Sequence, residues 1–217
     1  MTSPQQLPPA DDLYLAAHDG IGGRMLVSGH VLGIGLGAAL LGELMFWRRI
    51  QLTSESSLQV IDAQPTTDAA TAAVLRRLVE SPGPHGLRQW IMHLSTGLAT
   101  GLIEHRLTAA GVLRRETKRR LLSTNTSLVF ADPLSPGQPA IRIRTRLSYN
   151  ESLEIPDLML AGLFLATGLD QLVFDTLNPR DRARLSDQFR RNLPQPLHHL
   201  VSWTRTVAAE SATVGIS

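Results

Sequence analysis

A long apolar run dominates the hydrophobic pattern of this chain. Residues 31–42 contain no charged side chain, and glycine alternates there with leucine, isoleucine and alanine. Glu43 ends the run, and Arg48 follows shortly after. A membrane span needs roughly 20 largely uncharged residues, so this run is too short for a typical one. A helix that is apolar on all sides is usually buried in a protein core.

The glycines in this run also invite comparison with a nucleotide-binding loop. Gly33, Gly35 and Gly37 are spaced as G-x-G-x-G, whereas a dinucleotide loop requires G-x-G-x-x-G between a strand and a helix. Glycines at this spacing also let neighbouring helices approach closely. We therefore predict a central core helix over residues 30–47.

Four further segments have apolar residues at helical spacing. The predicted helices are residues 68–80, 87–110, 157–177 and 197–209. Gly111 is placed to end the second of them in a left-handed cap. The apolar residues expected on the buried faces of the first three are Leu75, Leu78, Val79, Ile91, Leu94, Leu98, Leu102, Leu158, Ala161, Leu165, Leu169 and Leu172.

Turn residues near the N-terminus predict short strands. Asp11 and Asp12 are suited to cap a short segment. The glycine-rich residues 19–24 form a predicted turn, about which residues 13–17 and 25–28 could pair as a small hairpin.

Later segments also predict strands. Residues 49–52 and 58–61 are expected to be short strands around a serine-rich turn. Residues 112–122 and 127–130 predict a β-hairpin, with the polar residues 123–126 between its strands. Residues 141–147 (IRIRTRL) alternate strictly, and periodicity alone favours a strand.

Composition limits the compartment and the domain count. The chain has 217 residues and no cysteine, so disulfides and thiolate metal sites are excluded. Residues 1–9 lack a secretory signal pattern and predict a flexible tail, followed by a single domain over residues 10–212. Lys118 is the only lysine among 21 basic residues, a bias typical of a GC-rich bacterial genome.

Four passages, taken in order, resemble the Golgi phosphoprotein 3 family. They are DDLYL at residues 11–15; GLGAALLGEL at 35–44 running into RIQL at 49–52; QWI at 89–91; and LTAAGVL at 107–113 through Glu116 to Leu121 and Leu122. Residues 157–174 add a weaker match. The ordered set spans nearly the whole chain, although each passage alone is mostly an apolar pattern.

The resemblance implies a mainly α fold, in which a central helical bundle is surrounded by amphipathic helices and carries one protruding β-hairpin. It places residues 141–147 on a helix, and we follow it there. It also implies a non-catalytic, cytoplasmic peripheral membrane protein that binds phosphatidylinositol 4-phosphate at the inner face of the membrane.

The lipid pocket of the eukaryotic members does not carry over to this sequence. That pocket uses a tryptophan and three arginines, and the aligned positions here are Ser28, Gly37, Gly97 and Thr100. Arginine binds phosphate with a planar fork of donors, which these residues cannot replace. We therefore expect little preference for phosphatidylinositol 4-phosphate over other anionic lipids of equal charge. Arg24, Arg88 and Arg106 neighbour the segments that line the family's pocket.

The best candidate surface is the basic first strand of the hairpin. Its expected lipid-binding residues are Arg114, Arg115, Lys118, Arg119 and Arg120, with Leu121 and Leu122 as membrane contacts. Arg142, Arg144 and Arg146 would extend this patch if they fold nearby. The alternative is a purely structural role, in which the basic residues form a solvent-exposed edge of the hairpin that prevents pairing with other strands, and Leu121 and Leu122 face the core.

The same residues are compatible with another function. The hairpin could instead form a homo-oligomer or bind a protein partner, as in a soluble interaction adaptor. Nucleic acid is not expected, because Phe130 is the one aromatic near the charge. No cofactor is expected: the seven histidines lack metal-ligand spacing, and no nucleophile–base set or phosphate loop occurs. Trp47, Trp90 and Trp203 are expected to be core or half-buried packing residues.

Overall fold

The computed structural model describes residues 7–20, 23–54, 56–81, 85–120 and 123–214. The helices are α1 (Pro9–Ala16), α2 (Gly29–Phe46), α3 (Ala69–Glu80), α4 (Leu87–Ser95), α5 (Leu98–Ala109), α6 (Gln138–Ser148), α7 (Ile155–Thr167), α8 (Asp170–Val173), α9 (Pro179–Asn192) and α10 (Gln195–Val214). The strands are β1 (Ile50–Ser54), β2 (Ser57–Val60), β3 (His85–Gly86), β4 (Leu113–Arg120) and β5 (Ser123–Phe130). The fold is mainly α, as predicted.

The strands form two small antiparallel sheets. β1, β2 and β3 are hydrogen-bonded in that order. β4 and β5 pair with each other as a separate hairpin, from Leu113 opposite Phe130 to Arg120 opposite Ser123. The predicted strands at residues 49–52 and 58–61 are confirmed as β1 and β2.

Helix α2 lies at the centre of the bundle and confirms the predicted core helix. It packs against α1, α3, α4, α5, α7 and α10. Every residue from Leu32 to Leu44 is buried. Within the described residues it is the one helix long and apolar enough to cross a membrane, yet 72% of it is buried inside the protein. Its apolar surface is therefore covered by other helices of the same chain.

Two glycines of α2 set its distance from α4. A Cβ atom at Gly33 would lie 2.7 Å from the carbonyl oxygen of Ser95, and one at Gly37 would lie 2.9 Å from the Cβ of Leu94. No side chain fits at either spacing without movement of α4. The glycine pattern therefore serves close helix packing and not a nucleotide loop.

Two of the predicted long helices are broken by glycines. Gly97 adopts φ 98° and Gly168 adopts φ 75°, both in the left-handed region that favours glycine. Residues 87–110 consequently form α4 and α5, and residues 157–177 include the separate helices α7 and α8. The prediction of single long helices was wrong, whereas Gly111 does end α5 with φ 73°.

Three residues predicted on buried faces are exposed instead. Val79 and Leu172 are each 50% exposed, and Leu165 is 36% exposed. In α7 the buried positions beside Leu165 are Leu163 and Phe164. Helical spacing placed each of these residues in a helix but misplaced the edge of each apolar face, which depends on where the neighbouring helices pack.

The first strand of the first predicted hairpin is helical instead. Residues 13–16 belong to α1, and one isolated bridge, His18 to Met25, remains of the expected pairing. The amide of Asp19 donates to the carbonyl of Arg24 at 2.9 Å, which closes the predicted turn. Asp11 and Asp12 lie within the first turn of α1 and are buried, so they are not its caps.

Two later segments also differ from what the local pattern predicted. Residues 123–126 belong to β5 and are not a turn; Arg119 pairs with Thr124, and Lys118 with Asn125. Residues 141–147 lie in α6, as the resemblance implied, with Ile143 and Leu147 buried on one face.

Candidate functional site

The β4–β5 hairpin is anchored to the bundle at its base. Leu113 is 2% exposed, and the ring of Phe130 meets His18 edge-on with their centroids 5.5 Å apart. The amide of Ala131 donates to the carbonyl of Val112 at 2.9 Å and closes the two strands. Beyond its partner strand, β4 packs mainly against α5. The base of the hairpin is therefore held by α5 and by His18, which follows α1.

The charge of the hairpin lies on one strand. Five basic residues and Glu116 give β4 a net charge of +4, twice that of the whole chain, and β5 carries no charged residue. Arg114 and Arg115 are exposed and stand opposite Val129 and Leu128, which are partly buried.

The structure describes less of the other predicted site residues. Lys118, Arg119 and Arg120 continue β4, but their side chains are outside the described part of the structure. Leu121 and Leu122, the predicted membrane contacts, lie outside the described residues. The structure thus brings the five basic residues onto one strand.

The arginines of α6 are engaged elsewhere. Nη2 of Arg142 lies 2.6 Å from Asp12 and 2.7 Å from Asp157, both of them buried. Arg144 donates to Thr176, and Arg146 lies 3.4 Å from Glu154. Arg142 therefore links α6 to α1 and α7. Because it is engaged in these ion pairs, it does not extend the basic patch of the hairpin.

A second cluster of charges, missed by the sequence reasoning, surrounds Arg106 on α5. Its Nε lies 2.8 Å from Asp11 on α1, and its Nη1 lies 3.1 Å from Glu43 on α2 and 3.0 Å from Asp68, the N-cap of α3. Glu43 also accepts a hydrogen bond from the amide of Ala10 at 2.9 Å. One buried guanidinium therefore joins four helices. Glu43, a single glutamate at the end of the apolar run, was the sequence feature that could have indicated this buried cluster.

Burial shifts the ionisation of these carboxylic acids. It raises the pKa of Asp11 to about 7 despite the neighbouring Arg106, and the pKa of Asp12 to about 6 despite Arg142. Burial also raises the pKa of Glu43. The pKa of Asp68 is lowered, because hydrogen bonds from Thr71 and the charge of Arg106 outweigh its partial burial. The cluster thus holds more carboxylates than its single cation can neutralise.

A cavity of ≈ 490 Å³ opens beside this cluster. Its apolar lining includes Leu7, Phe46, Trp47, Ile155, Met159 and Leu197, and its polar lining includes Glu43, Asp68, Arg106, Arg49 and the hydroxyls of Thr66, Thr67 and Thr71. Trp47 is 64% exposed, so its prediction as a packing residue was wrong. Trp90 is buried and Trp203 half-buried, as expected.

The positions aligned with the family's lipid pocket hold no cationic side chain. Ser28 caps α2 by accepting from the amide of Val31 at 3.2 Å. Gly37 faces α4 with no room for an arginine, and Gly97 forms the break between α4 and α5. Nearby Arg24 and Arg88 lie 3.7 Å from Asp19 and 2.6 Å from Glu210, respectively.

Metal ligands are not grouped in the part of the chain that the structure covers. Within it, no set of three or more histidine, aspartate or glutamate side chains is arranged to hold a metal ion. His93 instead packs edge-on against Trp90, with their centroids 5.5 Å apart.

The sequence matches the model of one protein family. The family model described as Golgi phosphoprotein 3 (GPP34) matches residues 10–203. A comparison with curated proteins gives no significant match. The matched range begins in α1 and ends in α10, so it includes the bundle, the hairpin and the Arg106 cluster.

Proposed function

Because the chain belongs to the Golgi phosphoprotein 3 (GPP34) family, we propose that it is a peripheral membrane protein that binds anionic phospholipid through its basic hairpin. The family suggests a lipid-binding or adaptor role. The observation that carries the choice of surface is the net charge of +4 on β4, which projects from a bundle whose remaining residues are slightly acidic overall.

The size of this charge suits reversible attachment. A basic residue close to an anionic leaflet contributes about 1 kcal/mol of binding energy. Five of them on one strand are enough to hold a domain at a membrane surface without a spanning segment. The attraction acts over about 8 Å at physiological ionic strength, so added salt weakens it.

The proposal concerns surface charge and not a headgroup pocket. The positions aligned with the family's pocket lack its arginines, and Gly37 has no space for one. Binding through β4 therefore follows the charge density of the membrane. In this proposal the protein acts without catalysis at the cytoplasmic face of the membrane.

A specific observation also supports a second candidate function, that of an interaction adaptor. Within the described residues, β4 and β5 pair with each other alone, so each has an open outer edge. Open edges can add a strand from a second copy or from a partner protein. In that case the hairpin would form a homo-oligomer, and lipid would be irrelevant.

Vesicle co-sedimentation tests the first function. The double variant Arg119→Glu with Arg120→Glu lowers the net charge of the hairpin by four units, because two positive charges are replaced by two negative ones. Its matched control is Arg190→Glu with Arg191→Glu, an equal change at two exposed positions of α9. We expect the hairpin variant to lose binding to phosphatidylserine vesicles while the control retains most of it, and binding to neutral phosphatidylcholine vesicles to be weak throughout.

Two results would contradict the proposal. Equal binding to charged and neutral vesicles would exclude the electrostatic mechanism. Equal losses in the hairpin and control variants would mean that overall charge, and not β4, governs attachment. If binding is absent and the same hairpin variant dissociates an oligomer in size-exclusion chromatography with light scattering, the adaptor function is supported instead.

A further inference from the structure

The cavity beside Trp47 is separate from the basic hairpin, since none of its lining residues lies on β4 or β5. It is formed where the C-terminal end of α2 meets the start of α1, α3, α7 and α10. Its volume of ≈ 490 Å³ falls within the range of roughly 300–1,000 Å³ that is typical of small-molecule sites.

One side of this cavity is apolar and reaches solvent. Trp47 is 64% exposed and Phe46 is 45% exposed, and their rings meet edge-on with centroids 5.5 Å apart. Met159 and Leu197 contribute aliphatic surface to the same cavity. Such a lining suits the hydrocarbon part of a ligand, and aromatic faces also attract cations.

The other side of the cavity carries the carboxylate of Asp68. Among the described residues, Arg106 is the one cation that contacts Asp11, Glu43 and Asp68, while Arg49 is paired with Asp62. Burial raises the pKa of Asp11 to about 7 and also raises the pKa of Glu43, so both of these groups favour the protonated form in the fold. Asp68 has a lowered pKa, and its side chain is 31% exposed, so an ionised carboxylate is accessible from the cavity.

We propose that this cavity binds a small amphipathic amine. Its ammonium group would lie at Asp68 and Glu43, and its apolar body would lie against Trp47. A cation at this point complements the ionised carboxylate of Asp68, which is accessible from the cavity. A carboxylate or phosphate ligand would instead place a second negative charge beside Asp68.

Three probes of equal chain length test the class of ligand. We expect octylamine to bind the full-length chain at least tenfold more tightly than octanol in isothermal titration calorimetry, a difference of about 1.4 kcal/mol. Octylamine is charged at neutral pH, as a lysine side chain is. Octanoate should bind most weakly. Equal affinities for the three compounds, or no binding of octylamine, would overturn the proposal.

Two substitutions locate the binding site. Asp68→Asn removes the accessible charge and keeps a side chain that caps α3, because asparagine is also a good N-cap. Thr67→Arg adds a cation at an exposed position on the cavity lining and does not alter the Arg106 cluster. We expect each variant to weaken octylamine binding at least tenfold, with little change for octanol in Asp68→Asn.

The control is Asp187→Asn on α9, whose side chain is 49% exposed and lies outside the cavity lining. It should bind octylamine as the unmodified chain does. If it loses as much affinity as Asp68→Asn, general surface charge is responsible and the cavity is not the site. Unchanged binding in both Asp68→Asn and Thr67→Arg would likewise refute the proposal.

Discussion

The Nε of Arg106 lies 2.8 Å from Oδ1 of Asp11, and this ion pair joins α5 to α1 across 95 positions of the chain. Both side chains are largely buried, at 11% and 2% exposure. A buried charge is costly unless it is paired, so each residue depends on the other to stay in the core. The pair thus fixes where α1 sits against the bundle.

Replacing Arg106 with methionine should strongly destabilise the fold. The substitution keeps an unbranched apolar stem but removes the guanidinium, so the carboxyl groups of Asp11 and Glu43 are left buried without a cation. Removing one partner of a buried pair typically costs 3–5 kcal/mol, and we expect a loss of about 3 kcal/mol in the free energy of unfolding. Urea denaturation followed by circular dichroism measures it.

The matched control is Arg88→Met, because Arg88 is half exposed and pairs with the half-exposed Glu210. Exposed pairs contribute up to about 1 kcal/mol. Similar losses for Arg88→Met and Arg106→Met would show that the buried cluster is not the more important of the two.

The raised pKa of Asp11 predicts a loss of stability with increasing pH. The native state binds this proton more tightly than the unfolded chain, since the pKa is about 7 in the fold against an ordinary 3.8. The stabilisation is complete below about pH 4 and is lost as the pH rises through about 7. Asp12, with a pKa of about 6, contributes in the same direction.

The check compares the unmodified chain with Asp11→Asn over that pH range. The comparison cancels His18, whose lowered pKa acts in the opposite direction. Chemical denaturation should show the unmodified chain losing stability relative to the variant as the pH rises. A constant difference, or one that grows in favour of the unmodified chain, would show that Asp11 stays ionised throughout.

Alanine should have opposite effects at two helical glycines. At Gly33 a Cβ meets the backbone of Ser95 at 2.7 Å, so Gly33→Ala forces α2 and α4 apart and should cost about 1–3 kcal/mol. At Gly101 on α5 nothing lies within 4 Å, so Gly101→Ala should stabilise the protein by about 0.5–1 kcal/mol. Thermal denaturation of both variants tests this. Equal effects would mean that α2 and α4 are not closely packed.

The position of the apolar face of α7 predicts a contrast between two leucines. Leu163 is fully buried and Leu165 is 36% exposed. Leu163→Ala should therefore cost about 2–5 kcal/mol through the cavity that it leaves. Leu165→Ala should cost less than about 1 kcal/mol. The reverse order in urea denaturation would mean that α7 is rotated from the position described.

Lipid binding by this protein should depend little on the headgroup. With Ser28, Gly37, Gly97 and Thr100 at the aligned pocket positions, we expect little preference for phosphatidylinositol 4-phosphate over phosphatidylserine at equal vesicle charge. Surface potential attracts basic residues whatever the headgroup, whereas a pocket discriminates by placed donors. A tenfold preference in a vesicle titration would show that a specific pocket exists elsewhere on the protein.

Patterns within short stretches of the sequence were enough to predict α2 and the β4–β5 hairpin. The uncharged run at residues 31–42 indicated α2, because a helix that is apolar on every side must be buried. The basic and polar segments around residues 113–130 indicated the hairpin. Alternation at residues 141–147 was misleading, since arginines at every second position also suit a half-exposed helix.

Helix breaks were less predictable. Gly97 and Gly168 lie within continuous apolar patterns, and a glycine there is compatible with a helix interior or with a left-handed break. The packing of the neighbouring helices determines that Gly97 and Gly168 adopt the left-handed conformation and end their helices. The same dependence on neighbours explains why Leu165 and Leu172 are more exposed than their spacing suggested.

The sequence by itself determined that this chain forms a mainly α fold around one apolar helix, because burial of that helix follows from composition alone. Its ordered motifs also determined the family. The tertiary structure decided which charged side chains meet. The buried cluster brings together residues from four separate segments, namely Asp11, Glu43, Asp68 and Arg106. Arg106 and Arg142 form ion pairs inside the bundle, whereas Arg114 and Arg115 are exposed on its surface. Ion pairing depends on distance in space, and helix packing alone sets that distance.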